Sequence, residues 1–213
     1  MADHIQAMTF PNHKFDNIED FASAYFERIR EAGQSIERYA LREAAIVLDE
    51  AYRREANVYV CGNGGSAAIS NHLVCDHLKG IQTDTEIRPR VVSLSSNIEI
   101  ITAIANDISY NDVFVYQLST MAQPEDVLIA ISSSGNSENI VRVVNWAKNN
   151  HCKVITMTGF DGGRSAKLAD INLSVRSDNY GVIEDTHQSL MHILAQFLRL
   201  NRMNADLISD RKF

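Results

Sequence analysis

The chain has 213 residues, 45% hydrophobic and 22% charged, with a net charge of −7, the balance of a folded protein with a sizeable core. That charge argues against nucleic acid or an anionic membrane as a partner, so an anionic ligand needs donors grouped locally. No run reaches the ~20 apolar residues of a membrane span, and the N-terminal MADHIQAMTFPNHKFDN lacks a cationic-then-apolar leader pattern. The three cysteines, Cys61, Cys75 and Cys152, form no CxxC pair and read as reduced thiols of a cytoplasmic protein.

Residues 1–14 are polar, without a clear period, and read as a flexible start. From Phe15 to Arg54 the apolar residues turn helical: Ile18, Phe21, Tyr25 and Ile29, then Ile36, Ala40, Ala44, Leu48 and Tyr52. Gly33 and Ser35 fit a break and an N-cap between two helices. Their apolar faces need cover from the rest of the fold or from a second subunit, so 1–54 is expected to be an oligomerisation segment of a single domain spanning 1–213. Five β-branched runs follow, Asn57–Cys61, Arg90–Leu94, Asp126–Ile131, Lys153–Met157 and Ile171–Val175. Helical patterns lie between them near 66–80, 97–105, 113–121 and 137–149, with a short turn or helix near 163–169 and a last helix over 183–204. Strands alternating with helices predict βαβ units, a parallel sheet and an α/β fold with helices on both faces. Ligands of such sheets gather beyond the carboxyl ends of the strands.

Two loops stand at such ends. Cys61-Gly62-Asn63-Gly64-Gly65-Ser66 follows the first strand and opens a helix, whose free N–H groups favour an anion or polar oxygens. It lacks the Gly-Lys-Ser/Thr ending of a Walker loop and is not a clean GxGxxG; a plain tight turn has the same composition. Ile131-Ser132-Ser133-Ser134-Gly135-Asn136-Ser137 follows the third strand. Its four hydroxyls, one amide and backbone donors suit a phosphate monoester held without Lys or Arg. One serine would be enough for a simple helix cap.

CGNGGSA, ISSSGNS and TGFDGG at 158–163, with Ala105-Asn106-Asp107 and two histidines on the last helix, resemble the sugar isomerase (SIS) domain. More narrowly they resemble the phosphoheptose isomerases, which convert sedoheptulose 7-phosphate to a heptose 7-phosphate. The resemblance implies a doubly wound, flavodoxin-like five-stranded parallel sheet after an N-terminal helical pair. It also implies a homotetramer with active sites shared between subunits. Ser132, Ser133, Ser134, Asn136 and Ser137 would hold the sugar phosphate, while Asn63, Gly64, Ser66, Asp107 and Glu184 would meet the rest of the sugar.

Aldose–ketose isomerisation passes through an enediol and needs a base beside the carbon and an acid near the carbonyl oxygen. His72 and Asp76 lie four residues apart on one helical face; a solvated helix pair has the same spacing. In the family these places hold a histidine and the glutamate base, so the resemblance makes Asp76 the base, one methylene shorter. It makes His192 the general acid and matches His187 to the family's other histidine, with Glu184 where the family has glutamine. Some members bind zinc at the positions of His72, Asp76, Glu184 and His192, a chemically sound ligand set. His77 reads as exposed and Cys75 as structural, and neither receives a role. The stretches Ser177–Val182 and Lys79-Gly80-Ile81 depart from the family pattern, which leaves the sugar-facing surface different from the common one. The expected activity is isomerisation of sedoheptulose 7-phosphate to D-glycero-D-manno-heptose 7-phosphate or a related sugar phosphate. The alternative is a non-catalytic sugar-phosphate-binding or replication-initiator-binding relative.

Overall fold

The structure is a computed structural model that describes residues 9–213. Its centre is a five-stranded, all-parallel sheet of β1 (Asn57–Gly62), β2 (Arg90–Ser93), β3 (Val127–Ser132), β4 (Lys153–Thr158) and β5 (Ile171–Ser174), in the order β2-β1-β3-β4-β5. The helices are α1 (Ile18–Gln34), α2 (Arg38–Arg53), α3 (Gly65–Cys75), α4 (Ile98–Asp107), α5 (Val113–Met121), α6 (Glu138–Asn149), α7 (Gly163–Leu168) and α8 (Tyr180–Arg202). This is the doubly wound α/β fold that the alternation of elements predicts.

Both sheet faces are covered, which is why the strands read as β-branched runs instead of alternating with polar residues. Val60, Ile129 and Met157 pack toward α1, α2, α3 and α8, around Leu48, Leu73 and Leu190. Tyr59, Leu128 and Val154 point the other way, toward α4, α5 and α6, around Phe114 and Val144. Each such fully buried side chain contributes about 2 kcal/mol.

The winding positions the site. Strand order reverses between β1 and β3, and Gly62 at the end of β1 pairs in register with Ile131 of β3. The glycine and serine loops therefore leave the sheet side by side, at the switch point where such folds bind ligands. Ser132 pairs with Thr158 of β4, which brings the TGFDGG segment alongside the serine loop.

Several local expectations are corrected. Phe10 is buried against Phe15, Phe21 and Tyr25, and its backbone bonds to the Asp178 and Asn179 side chains. The predicted flexible start therefore does not extend to residue 14, and residues 1–8 lie outside the described residues. Ser35 caps the C-terminus of α1, and α2 opens after Glu37. The Ser35 hydroxyl donates to the Ala32 carbonyl and accepts from the Arg176 N–H at 3.0 Å, so it serves no N-cap. The helix expected over 66–80 divides, since a π-helical turn, Asp76–Ile81, follows α3. Leu73, His77 and Ile81 are all buried at four-residue spacing, so His77 lies inside with its Nδ1 against the Tyr52 hydroxyl, while Cys75 is exposed. The last helix begins at Tyr180 because the Asn179 side chain accepts from Val182 N–H at 3.0 Å.

Candidate active site

The serine loop turns on Gly135, whose φ is +63°. A Cβ there would stand 2.0 Å from the Gly162 carbonyl oxygen, so only glycine fits. The TGFDGG segment clamps the loop: Gly159 N–H donates to the Ser133 carbonyl at 2.8 Å, and Ser165 N–H to the Gly135 carbonyl at 2.9 Å. Within the loop Gly135 N–H reaches the Ser132 hydroxyl at 3.2 Å, and Asn136 N–H the Ser134 hydroxyl at 3.3 Å. The Ser133 hydroxyl is buried without a hydrogen-bond partner, a cost that a bound oxygen would relieve. Ser137 stands at the N-cap of α6 with no side-chain cap bond.

A cation borders this loop that the sequence reading did not foresee. Arg164 donates to the Asn136 carbonyl at 2.8 Å and pairs with Glu138 at 2.9 Å. Its position directly after TGFDGG was the available signal, but register across β3 and β4 was needed to connect it to the serines.

In the glycine loop the Asn63 amide forms a reciprocal pair with Asn139, both bonds at 2.9 Å, and accepts from the Tyr110 hydroxyl at 2.9 Å. It ties the glycine loop to α6 and α5's preceding turn. Gly64 has φ +54° before α3, and Ser66 is 4% exposed. Asp107 is exposed at the end of α4 and accepts from Asn106.

Beyond the glycine loop, α3 and α8 bring titratable groups together. His192 Nδ1 and Asp76 Oδ2 are 2.7 Å apart, and His72 Nε2 faces Asp76 Oδ1 at 3.4 Å. The two imidazoles stand edge to face, centroids 5.0 Å apart at 85°. Gln188 bridges them, with Nε2 2.9 Å from His72 Nδ1 and 3.1 Å from His192 Nε2. The side chains of His72, Asp76 and His192 are 47%, 24% and 38% exposed, so a small molecule can reach them.

Among the described residues, His72, Asp76 and His192 form a group able to hold a metal ion, with ligand atoms all within 4.8 Å of one another. Two imidazoles and a carboxylate fit zinc. Glu184 stands apart from this trio. Its carboxylate covers the start of α3, where a Cβ on Gly65 would lie 2.3 Å from Glu184 Oε2, next to helix N–H groups that favour negative charge. Tyr25 of α1 also enters this region unforeseen. Its hydroxyl donates to Asp185 at 2.7 Å, and burial, that bond and the nearby carboxylates push its pKa up to about 12. His187 is fully buried behind the site, and burial holds its pKa down to about 4.

Comparison with known proteins gives a consistent result. The family model of the SIS domain matches residues 21–159. A phosphoheptose isomerase of Helicobacter pylori (strain P12) is 34% identical over 179 residues, 84% of this chain and 92% of its own. A probable phosphoheptose isomerase of Thermoplasma volcanium is 33% identical over 176 residues, 83% of this chain and 89% of its own. Among solved structures, the phosphoheptose isomerase GmhA of Neisseria gonorrhoeae superposes with a TM-score of 0.78 at 28% identity, covering 85% of this chain and 98% of that one.

Proposed function

Since the chain belongs to the SIS-domain family, in its phosphoheptose isomerase branch, we propose that it isomerises sedoheptulose 7-phosphate to D-glycero-D-manno-heptose 7-phosphate. The observation that carries the reading is the Asp76–His192 pair at 2.7 Å, reachable from solvent and beside the two switch-point loops. A pure binding module needs phosphate donors and has no use for a carboxylate and an imidazole held in contact.

In this reading Ser132, Ser133, Ser134, Asn136 and Ser137 hold the phosphate, with Arg164 lending positive charge beside them. Gly64, Ser66, Asp107, Glu184 and Asn63, the last fixing its loop against Asn139, border the sugar. The Asp76 carboxylate removes a proton from C1 of the ketose. The bonding pair becomes the C1–C2 double bond, and the carbonyl oxygen on C2 takes a proton from His192, giving the enediol. Asp76 then returns its proton to C2 while the hydroxyl on C1 gives its proton back to His192 and becomes the aldehyde. No net proton is gained or lost, and each transfer by a positioned group is worth ~10²–10⁴-fold in rate.

We read zinc as the resident cation, held by His72, Asp76 and His192, with Glu184 in reserve a short distance along α8. When bound, such a cation polarises the carbonyl and enediol oxygens. The whole chain is read as one SIS domain, with α1 and α2 as its oligomerisation segment. A groove of about 630 Å³ between α2 and α8, lined by Leu41, Ile46, Ile193 and Phe197, shares no residue with the imidazole–carboxylate cluster. Its exposed apolar side chains fit subunit contact, so we take the protein to be a homotetramer with shared sites. Exposed Cys75 and no disulfide among the described residues agree with the cytoplasm. No helix among those residues is long and apolar enough to cross a membrane.

The test is an isomerase assay on sedoheptulose 7-phosphate, comparing the native protein with Asp76→Asn, each with and without added zinc. We expect native turnover and a loss of at least a hundredfold in the variant. Absence of native turnover under every metal condition refutes the heptose assignment.

A further inference from the structure

Asn139 is a polar residue buried where an apolar one would pack. It is 2% exposed in the first turn of α6, among the buried Ile140 and Val143. A buried amide costs free energy unless it is paired. Both hydrogen bonds of this side chain go to one residue, Asn63 of the glycine loop, at 2.9 Å each. Asn139 stands two residues after Ser137, so the helical turn that follows the serine loop also grips the glycine loop.

A second hold on the same amide comes from α6 by a longer route. Arg142, three residues after Asn139, pairs with Asp112 at 2.8 Å and fixes the 3₁₀ turn Tyr110–Asp112 against α6. That turn carries Tyr110, whose hydroxyl donates to Asn63 at 2.9 Å.

The bond inventory decides what these holds leave over. An amide oxygen has two lone pairs and an amide nitrogen two hydrogens. Asn139 Nδ2 and the Tyr110 hydroxyl take both lone pairs of Asn63, and Asn139 Oδ1 takes one hydrogen. A phenol donates more readily than it accepts, because its oxygen shares electrons with the ring, so Tyr110 marks the oxygen end of the amide. One N–H of Asn63 is left without a protein partner.

We infer that Asn139 is a positioning residue, assisted by Tyr110, that locks the Asn63 amide as a single N–H donor to an oxygen of the bound sugar. This rests on the isomerase reading for its effect on rate but not for its effect on the amide. One helix, α6, thereby sets the spacing between the serine loop at the phosphate end and Asn63 at the sugar end.

The experiment uses the full chain with Asn63→Ala, Asn139→Leu and Tyr110→Phe, the last two also combined with Asn63→Ala. Asn139→Leu keeps the size of the side chain and removes both bonds; Tyr110→Phe removes only the hydroxyl. With sedoheptulose 7-phosphate, kcat/KM falls about ten- to a hundredfold in Asn139→Leu, the scale of a ~1 Å misplacement. In Tyr110→Phe it falls about three- to tenfold, the scale of one hydrogen bond. Each double variant matches Asn63→Ala within about twofold, since a residue that acts through Asn63 then has nothing to act on. Losses that multiply in the double variants, or a native kcat/KM in Asn139→Leu, overturn the inference. The side-chain ¹H–¹⁵N signals of Asn63, identified by their loss in Asn63→Ala, give a readout free of catalysis. We expect them to move toward free-amide values in Asn139→Leu and Tyr110→Phe, and unchanged signals overturn the inference as well. If Asn139→Leu does not fold, Tyr110→Phe, altered at a side chain that is 54% exposed, carries both measurements. A native protein that turns nothing over leaves the amide spectra readable, so failure of the isomerase reading is seen separately.

Discussion

Replacing His187 by leucine separates a buried histidine from a catalytic one. His187 is 0% exposed on α8, and neither ring nitrogen completes a hydrogen bond. Desolvation lowers its pKa from 6.5 to about 4, with the Thr158 backbone opposing part of the shift. Below pH 6.5 the unfolded chain takes up a proton at this residue, while the folded chain refuses it until about pH 4. The lowered pKa therefore carries no proton-linked cost at neutral pH, and stability falls as the pH drops through the window from 6.5 to 4. At ~1.4 kcal/mol per pKa unit the full loss is about 3 kcal/mol. His187→Leu has a similar volume and no proton to refuse, so its urea-unfolding free energy should depend on pH less steeply by about that amount between pH 7 and pH 4. It should also gain ~1 kcal/mol at pH 7, because two unpaired polar atoms leave the core. Isomerase kcat should stay within about threefold, since a fully buried ring cannot touch a sugar. Equal pH slopes in the two proteins, or a kcat reduced a hundredfold, would refute this placement of His187.

Two further outcomes test the other parts of the site. Gly135→Ala puts a methyl 2.0 Å from the Gly162 carbonyl oxygen at a φ of +63°, costing about 1–2 kcal/mol in backbone conformation alone. We expect KM for sedoheptulose 7-phosphate to rise at least tenfold and the melting temperature to drop by several degrees; a folded variant with native KM removes the phosphate from the serine loop. Phe197 is 50% exposed in the groove between α2 and α8. Phe197→Arg should lower the mass seen by light scattering from that of a tetramer, and a native protein that runs as a monomer dismisses the shared-site reading.

The sheet was legible because each strand is a short β-branched run closed by glycine, serine or a helix-starting residue, and its boundaries fall within a residue of the expected ones. Loop chemistry was legible for the same reason, since the glycine and serine motifs are contiguous in the chain. What escaped was set by contacts between distant segments. His77 looked solvent-facing because a charged or polar residue in an amphipathic helix usually is, whereas the π-helical turn and the Tyr52 hydroxyl carry it inside. Ser35 has the composition of an N-cap, but its hydroxyl is held by Arg176, 141 residues away. Arg164 and Tyr25 reach the site only through strand register and the packing of α1 on α8, which no local period encodes.

The same distinction explains the charge pattern of the trio. By the family resemblance, Asp76 would stand one methylene short of a glutamate and Glu184 would stand in place of an amide. Two carboxylates in one small cluster would raise each other's proton affinity and leave less of the base ionised at a given pH. The fold avoids this. Glu184 sits over the first turn of α3 against Gly65, and the amide at the cluster comes from Gln188, one turn further along α8. The trio thus holds a single carboxylate with an amide beside it. Asp76 also remains within 2.7 Å of His192 despite its shorter side chain. The shorter side chain thus still reaches both imidazoles, His192 Nδ1 at 2.7 Å and His72 Nε2 at 3.4 Å.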